Sequence, residues 1–131
     1  MTALESSPLL SEQRIRNRLI EWLEMLVTYE TDPPSFDLNE VLNQWEDWYS
    51  PNHSYTAPTY TEGEAMKLSR VAHALEGFCS ATPNTISNER EALSTSEWTT
   101  LVLKCQVALP EFYRRGRLSE AVEGGTRESA T

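Results

Sequence analysis

From Leu19 to Met66 the chain contains no lysine and no arginine, although ten aspartates and glutamates fall in the same stretch. Phosphates would be repelled there rather than neutralised, so nucleic acid is a poor partner for this half. No run of about 18 apolar residues occurs, which excludes a membrane-spanning helix as an expectation. The opening "MTALESSPLL" lacks the basic start and apolar stretch of a secretory signal, which predicts a cytoplasmic protein. There are only two cysteines, Cys79 and Cys105, with no Cys-x-x-Cys spacing. That rules out a disulfide framework and a zinc knuckle, and both thiols, set in apolar helical patterns, are expected in the core. Strand-type alternation is missing, as is any internal repeat.

Motifs that carry chemistry are also missing. There is no glycine-rich phosphate loop, no Gly-x-Ser-x-Gly turn and no His-Glu-x-x-His. Of the two histidines, His73 falls on the polar side of a helix and reads as a surface residue. His53, in "SPNHSY", has Asp47 nearby, but one histidine and scattered carboxylates do not make a ligand set. Glu21 and Glu24, spaced i and i+3, lack the partner Glu-x-x-His that di-metal bundles use. No catalytic residue, cofactor or metal is therefore expected, and the chain reads as non-enzymatic.

What is present is helix signal. "FDLNEV", "YTEGEA" and "LSTSEW" each place an N-cap residue (Asp37, Thr61, Ser94) three positions before a glutamate (Glu40, Glu64, Glu97). An apolar residue precedes each cap and can staple onto the first turn. Helical periodicity follows in each case. Ile15, Leu19, Trp22, Leu23 and Leu26 form a stripe on a first helix running from about Pro8 or Ser11 to Tyr29, which reads as a central helix, ended by "TDPP". Leu38, Val41, Leu42, Trp45 and Tyr49 share a face of a second helix. Ala65, Leu68, Val71, Ala72, Leu75, Phe78 and Cys79 share one on a third. A short turn of helix is expected within residues 84–93, around Ile86, and Trp98, Leu101, Val102, Cys105, Leu109 and Phe112 mark a last helix, kinked or cut at Pro110. The expectation is an all-α, single-domain bundle of four to five helices over residues 1–118, with a flexible tail over 119–131.

The window "WEDWYSPNHSYTAPTY", residues 45 to 60, packs two tryptophans and three tyrosines beside Glu46 and Asp47. Trp45 and Tyr49 fall on the core face. Trp48 lies about 60° away from Trp45 around the helix, at the boundary with solvent. Glu40, Glu46 and Asp47 point outward, as do Glu21 and Glu24 on the first helix. Tyr55 and Tyr60 sit in the following loop, where they are expected to pack back on the helices.

Of the formal net charge of −9, the first sixty residues carry −7 and the rest −2. A surface of one sign raises the encounter rate with an oppositely charged protein. Arg14, Arg16 and Arg18 form a small basic group on the first helix, in which Arg14 and Arg18, at i and i+4, are expected to make local ion pairs, and "YRRGR" (Arg114, Arg115, Arg117) is expected to meet phosphate or an acidic neighbour. Leu103 and Val107 lie opposite the main stripe of the last helix, so that helix is either central or covered by a second copy in a homodimer. The sequence thus predicts a protein-binding inhibitor of the immunity or antitoxin type. Its acidic half would occlude a basic site on a toxin or effector enzyme, through Glu21, Glu24, Glu40, Glu46, Asp47, Trp48 and Tyr55. The alternative expectation is an acidic chaperone or adaptor for a secreted effector.

Overall fold

A computed structural model of the chain describes residues 7–124, which form five helices and no β-strand. These are α1 (Pro8–Val27), α2 (Leu38–Trp48), α3 (Glu62–Ala81), α4 (Glu89–Leu93) and α5 (Ser96–Tyr113). The all-α bundle expected from periodicity is the observed architecture.

The caps explain where the helices begin. Asp37 accepts from the Glu40 backbone N–H at 3.0 Å, opening α2. Thr61 and Glu64 form a complete capping box at the start of α3, each side chain accepting from the other's backbone N–H. For α5 the cap is Thr95, one residue beyond the expected Ser94. Ser94 is taken up by the end of α4, where its hydroxyl donates to the Glu91 carbonyl at 2.8 Å. The short helix falls within the expected residues 84–93 but begins beyond Ile86, which is a buried loop residue. Pro110 does not cut α5, which continues to Tyr113. Proline removes the bond to the carbonyl of Gln106, but Gln106 is exposed, so water can satisfy that carbonyl.

The hub is α5 rather than α1: it packs against α1, α3 and α4, while α2 packs on α1. Ring contacts at the two ends of α5 fix the directions. Trp98, near its start, meets Phe78 near the end of α3 (5.4 Å between ring centroids) and Tyr29 just past α1 (5.9 Å). Phe112, near its end, lies under the Arg16 guanidinium of α1 at 5.0 Å. Both α1 and α3 therefore run antiparallel to α5. Trp22 donates its indole N–H to the Val41 carbonyl at 2.8 Å and stacks obliquely on Trp45, which anchors α2.

Two expectations are corrected. Cys79 is exposed, because it lies past the edge of the α3 stripe that Phe78 ends; Cys105 is buried as expected. Arg16, of the basic group on α1, is fully buried. Residues 119–124, expected to belong to a loose tail, lie along α1. Gln13 donates to the Ser119 and Val122 carbonyls (2.7 and 3.0 Å) and accepts from the Gly124 N–H at 2.6 Å. Asn17 clamps Leu118 from both sides of its peptide, accepting from its N–H and donating to its carbonyl. The docking is polar, with Val122 exposed, so hydropathy gives no hint of it. Residues 125–131 of the expected tail lie outside the described residues.

A buried ionic knot closes the bundle. The Glu64 carboxylate accepts from Arg16 (2.7 and 3.2 Å), from Arg115 (2.6 and 3.2 Å) and from the Thr61 N–H. The remaining donors of the two guanidinium groups go to carbonyls: Arg16 to Gly116 at 2.7 Å, Arg115 to Thr59 at 2.5 Å and Pro58 at 3.2 Å. Burial alone would push the Glu64 carboxyl up, but the hydrogen bonds from Arg16 and Arg115 overcome it and hold the group below its ordinary value. The knot ties α1, α3 and the end of α5 to the loop that follows α2.

Candidate functional site

That loop, residues 49 to 61, is held to α2 by aromatic rings. Trp22 meets Trp45 (4.7 Å between centroids), Trp45 stacks on Tyr49 (4.9 Å), and Tyr49 lies nearly parallel to Tyr55 (5.0 Å). Tyr55 then meets His53 (4.7 Å) and Tyr60 (5.1 Å) edge-on. The Tyr55 hydroxyl also accepts from the Ser50 N–H at 2.8 Å, just past the end of α2. A row of rings thus runs from core to surface, and the aromatic window is largely scaffold. Its end is pinned to α1 by His53, whose Nε2 stands 2.8 Å from a Glu12 carboxylate oxygen. His53 is thus held by a carboxylate of α1, and among the described residues no group of three or more His, Cys, Asp and Glu is placed to hold a metal.

The last turn of α2 stands as a ridge among three depressions. One, of about 410 Å³, lies toward α1 and the loop, with Glu12, Ile15, Asp47, Trp48, His53 and Tyr55 in its wall. A second, of about 320 Å³, runs along α1 past Arg18, Glu21, Met25, Glu40, Asp47 and Trp48. Asp47 and the half-buried Trp48 form the divide between these two. The third, about 490 Å³, is a groove between α2 and α3 lined by Trp45, Tyr49, Pro51, Ala72, Leu75 and Cys79. Glu46 and Glu76 edge it, Glu46 also bordering the first depression.

The seven residues expected to meet a partner divide into two sets. Glu40, Glu46 and Asp47 are exposed, and none forms a salt bridge among the described residues; with Trp48 they make one contiguous outward face of α2. Glu24, by contrast, is engaged within the chain by Arg117 at 2.7 Å and by the Tyr113 hydroxyl at 2.6 Å. Burial and the Glu24 carboxylate push the Tyr113 hydroxyl up to about 12. Glu21 lies 3.4 Å from Arg18 and 4.0 Å from Arg117, half-exposed at the rim of the second depression. Tyr55 is consumed by the ring row, with part of it in the first depression. Glu12 and Glu76 were not singled out from the sequence, and Ala72 reads there only as part of the apolar face of the third helix; all three enter the site through the structure. The last two carried a legible signal, since Ala72, Glu76 and Cys79 follow at i, i+4 and i+7 on one side of α3.

Leu103 and Val107 remain 52% and 46% exposed, although α5 is the hub. No helix among the described residues is long and apolar enough to cross a membrane. The chain matches no protein-family model, no curated protein and no solved structure.

Proposed function

We propose that this chain is a non-enzymatic inhibitor that acts in the cytoplasm by docking on a basic protein, in the manner of an immunity or antitoxin protein. One observation carries the reading. Glu40, Glu46 and Asp47 form no salt bridge among the described residues and surround a half-buried tryptophan, whereas Glu24 and Glu64, also expected from the sequence to lie on helices, are taken up by arginines of this chain. Unpaired carboxylates on a rigid helix steer a basic partner and set the salt dependence of its approach. An aromatic side chain inside that charged rim supplies the desolvated anchor. Inhibition follows from occlusion: the ridge of α2 covers the partner's basic site.

The test begins by identifying the partner through cross-linking in the native cell, followed by association kinetics. Reversing Glu46 and Asp47 to lysine slows association and flattens its salt dependence, and Trp48→Ala speeds dissociation. Equal association rates for wild type and the reversed variant at low and physiological salt would reduce the acidic face to a solubility feature. A second reading, a chaperone or adaptor for a secreted effector, draws on the groove between α2 and α3, which suits an extended segment. Limited proteolysis of the bound partner separates the two: a client held unfolded is cut readily, and a folded enzyme is not.

A further inference from the structure

The groove between α2 and α3 differs from the two depressions beside Trp48. Its floor and walls are apolar, built from the edges of Trp45 and Tyr49 on one side and from Ala72 and Leu75 on the other. No lysine or arginine lines it. Two carboxylates, Glu46 on the α2 wall and Glu76 on the α3 wall, border it, and neither has a salt-bridge partner among the described residues. An apolar slot edged by two unmatched anions is complementary to an apolar side chain with cations beside it.

We infer that this groove receives a segment of the partner protein in which an aliphatic side chain enters between Trp45, Tyr49 and Leu75 while neighbouring lysines or arginines reach Glu46 and Glu76. The inference rests on the reading of α2 as the docking helix, and it adds a second, mainly apolar anchor point behind the acidic ridge. Cation stems suit the arrangement, because the aliphatic part of lysine or arginine can lie along the tyrosine while the head stays with a carboxylate. Cys79 offers a reporter inside the groove. Its thiol is pushed up by partial burial and then by the Glu46 and Glu76 carboxylates, both of which border the slot. Cys105 is sealed in the core, so a thiol reagent acting on the folded protein reads Cys79 alone.

The experiment follows alkylation of Cys79 by N-ethylmaleimide, with amide shifts of isotope-labelled protein as a second readout. The probe is a short capped peptide with a leucine pair flanked by lysines. It is expected to slow alkylation and to shift amides of Trp45, Tyr49, Ala72, Leu75 and Glu76. Analogues with glutamate for lysine, or serine for leucine, are expected to do neither. Reversal of Glu46 and Glu76 to lysine weakens peptide binding about three- to tenfold, the range for a pair of exposed ion contacts. Because these reversals also change the thiol's own reactivity, the quantity compared is the ratio of rates with and without peptide. Ala72→Trp, which fills the slot, abolishes protection, with circular dichroism confirming the helices. The inference is overturned if the glutamate peptide protects equally, if no peptide protects, or if Cys79 is shielded by protein concentration alone, which would make a second copy the occupant. Failure of the underlying reading looks different. Asp47, which does not line the groove, could then be reversed without effect on the native partner while the lysine–leucine peptide still protects Cys79.

Discussion

The knot at Glu64 and the outer face of α2 are both built from carboxylates, and they use them in opposite ways. At the knot one carboxylate is matched by two guanidinium groups, with Arg16 and Glu64 withdrawn from water. Such a site is weak evidence for net stabilisation, but losing one member leaves charge buried without a counter-ion, which is severe. On α2, Glu40, Glu46 and Asp47 stay in water with no salt-bridge partner among the described residues. Exposed charges of that kind contribute little to folding and much to encounter. A net charge of −9 therefore says little by itself about binding; what matters is which anions the fold leaves unmatched.

The largest expected effect strikes the knot. Glu64→Ala should cost about 4 kcal/mol in chemical denaturation, because Arg16 remains buried without its carboxylate. The same variant weakens the pH dependence. The folded Glu64 carboxyl lies below its ordinary value of 4.5, so its contribution is complete above that pH and is lost as pH falls through the folded value. Stability of Glu64→Ala should accordingly fall less steeply than wild type below about pH 4.5, and an unchanged acid limb would mean that the carboxyl is not depressed. Next comes Trp45→Ala, at about 3 kcal/mol, the low end for a large aromatic, since one edge of Trp45 already faces the groove. A loss below about 1 kcal/mol would show that α2 is not anchored through Trp22 and Trp45.

A smaller effect is expected at the other margin of the bundle. Removing residues 119–131 takes away the carbonyls and N–H that Gln13 bonds, and should cost about 1 to 2 kcal/mol in urea denaturation. No change in midpoint would mean that the strap over α1 contributes nothing. The smallest effect belongs to α2: reversing Glu46 and Asp47 to lysine should alter stability by on the order of 0 to 1 kcal/mol each. A loss comparable to that of Glu64→Ala would erase the contrast between the two regions.

The helices and much of the core are legible in the chain because their signals are local. Asp37 and Thr61 cap the turns that follow them, and Trp22, Trp45, Phe78 and Cys105 fall on their stripes at helical spacing. Arg16 was legible in part: it precedes Leu19, Ile20 and Leu23 at i+3, i+4 and i+7, so it sits on the buried face, but periodicity does not name its counter-ion. The candidate site was legible where it depends on one helix, as with Glu40, Asp47 and Trp48 on α2. It was not legible at Glu24, whose partners Tyr113 and Arg117 lie at the far end of the chain, nor at the groove, whose walls come from α2 and α3. The sequence by itself determined five helical segments, an acidic first half and the outward phase of α2. Only the tertiary structure decided which carboxylates are consumed and which remain available, because a guanidinium group neutralises an anion within a few ångströms, and residues as distant in the chain as Glu24 and Arg117 reach that distance only when helices dock.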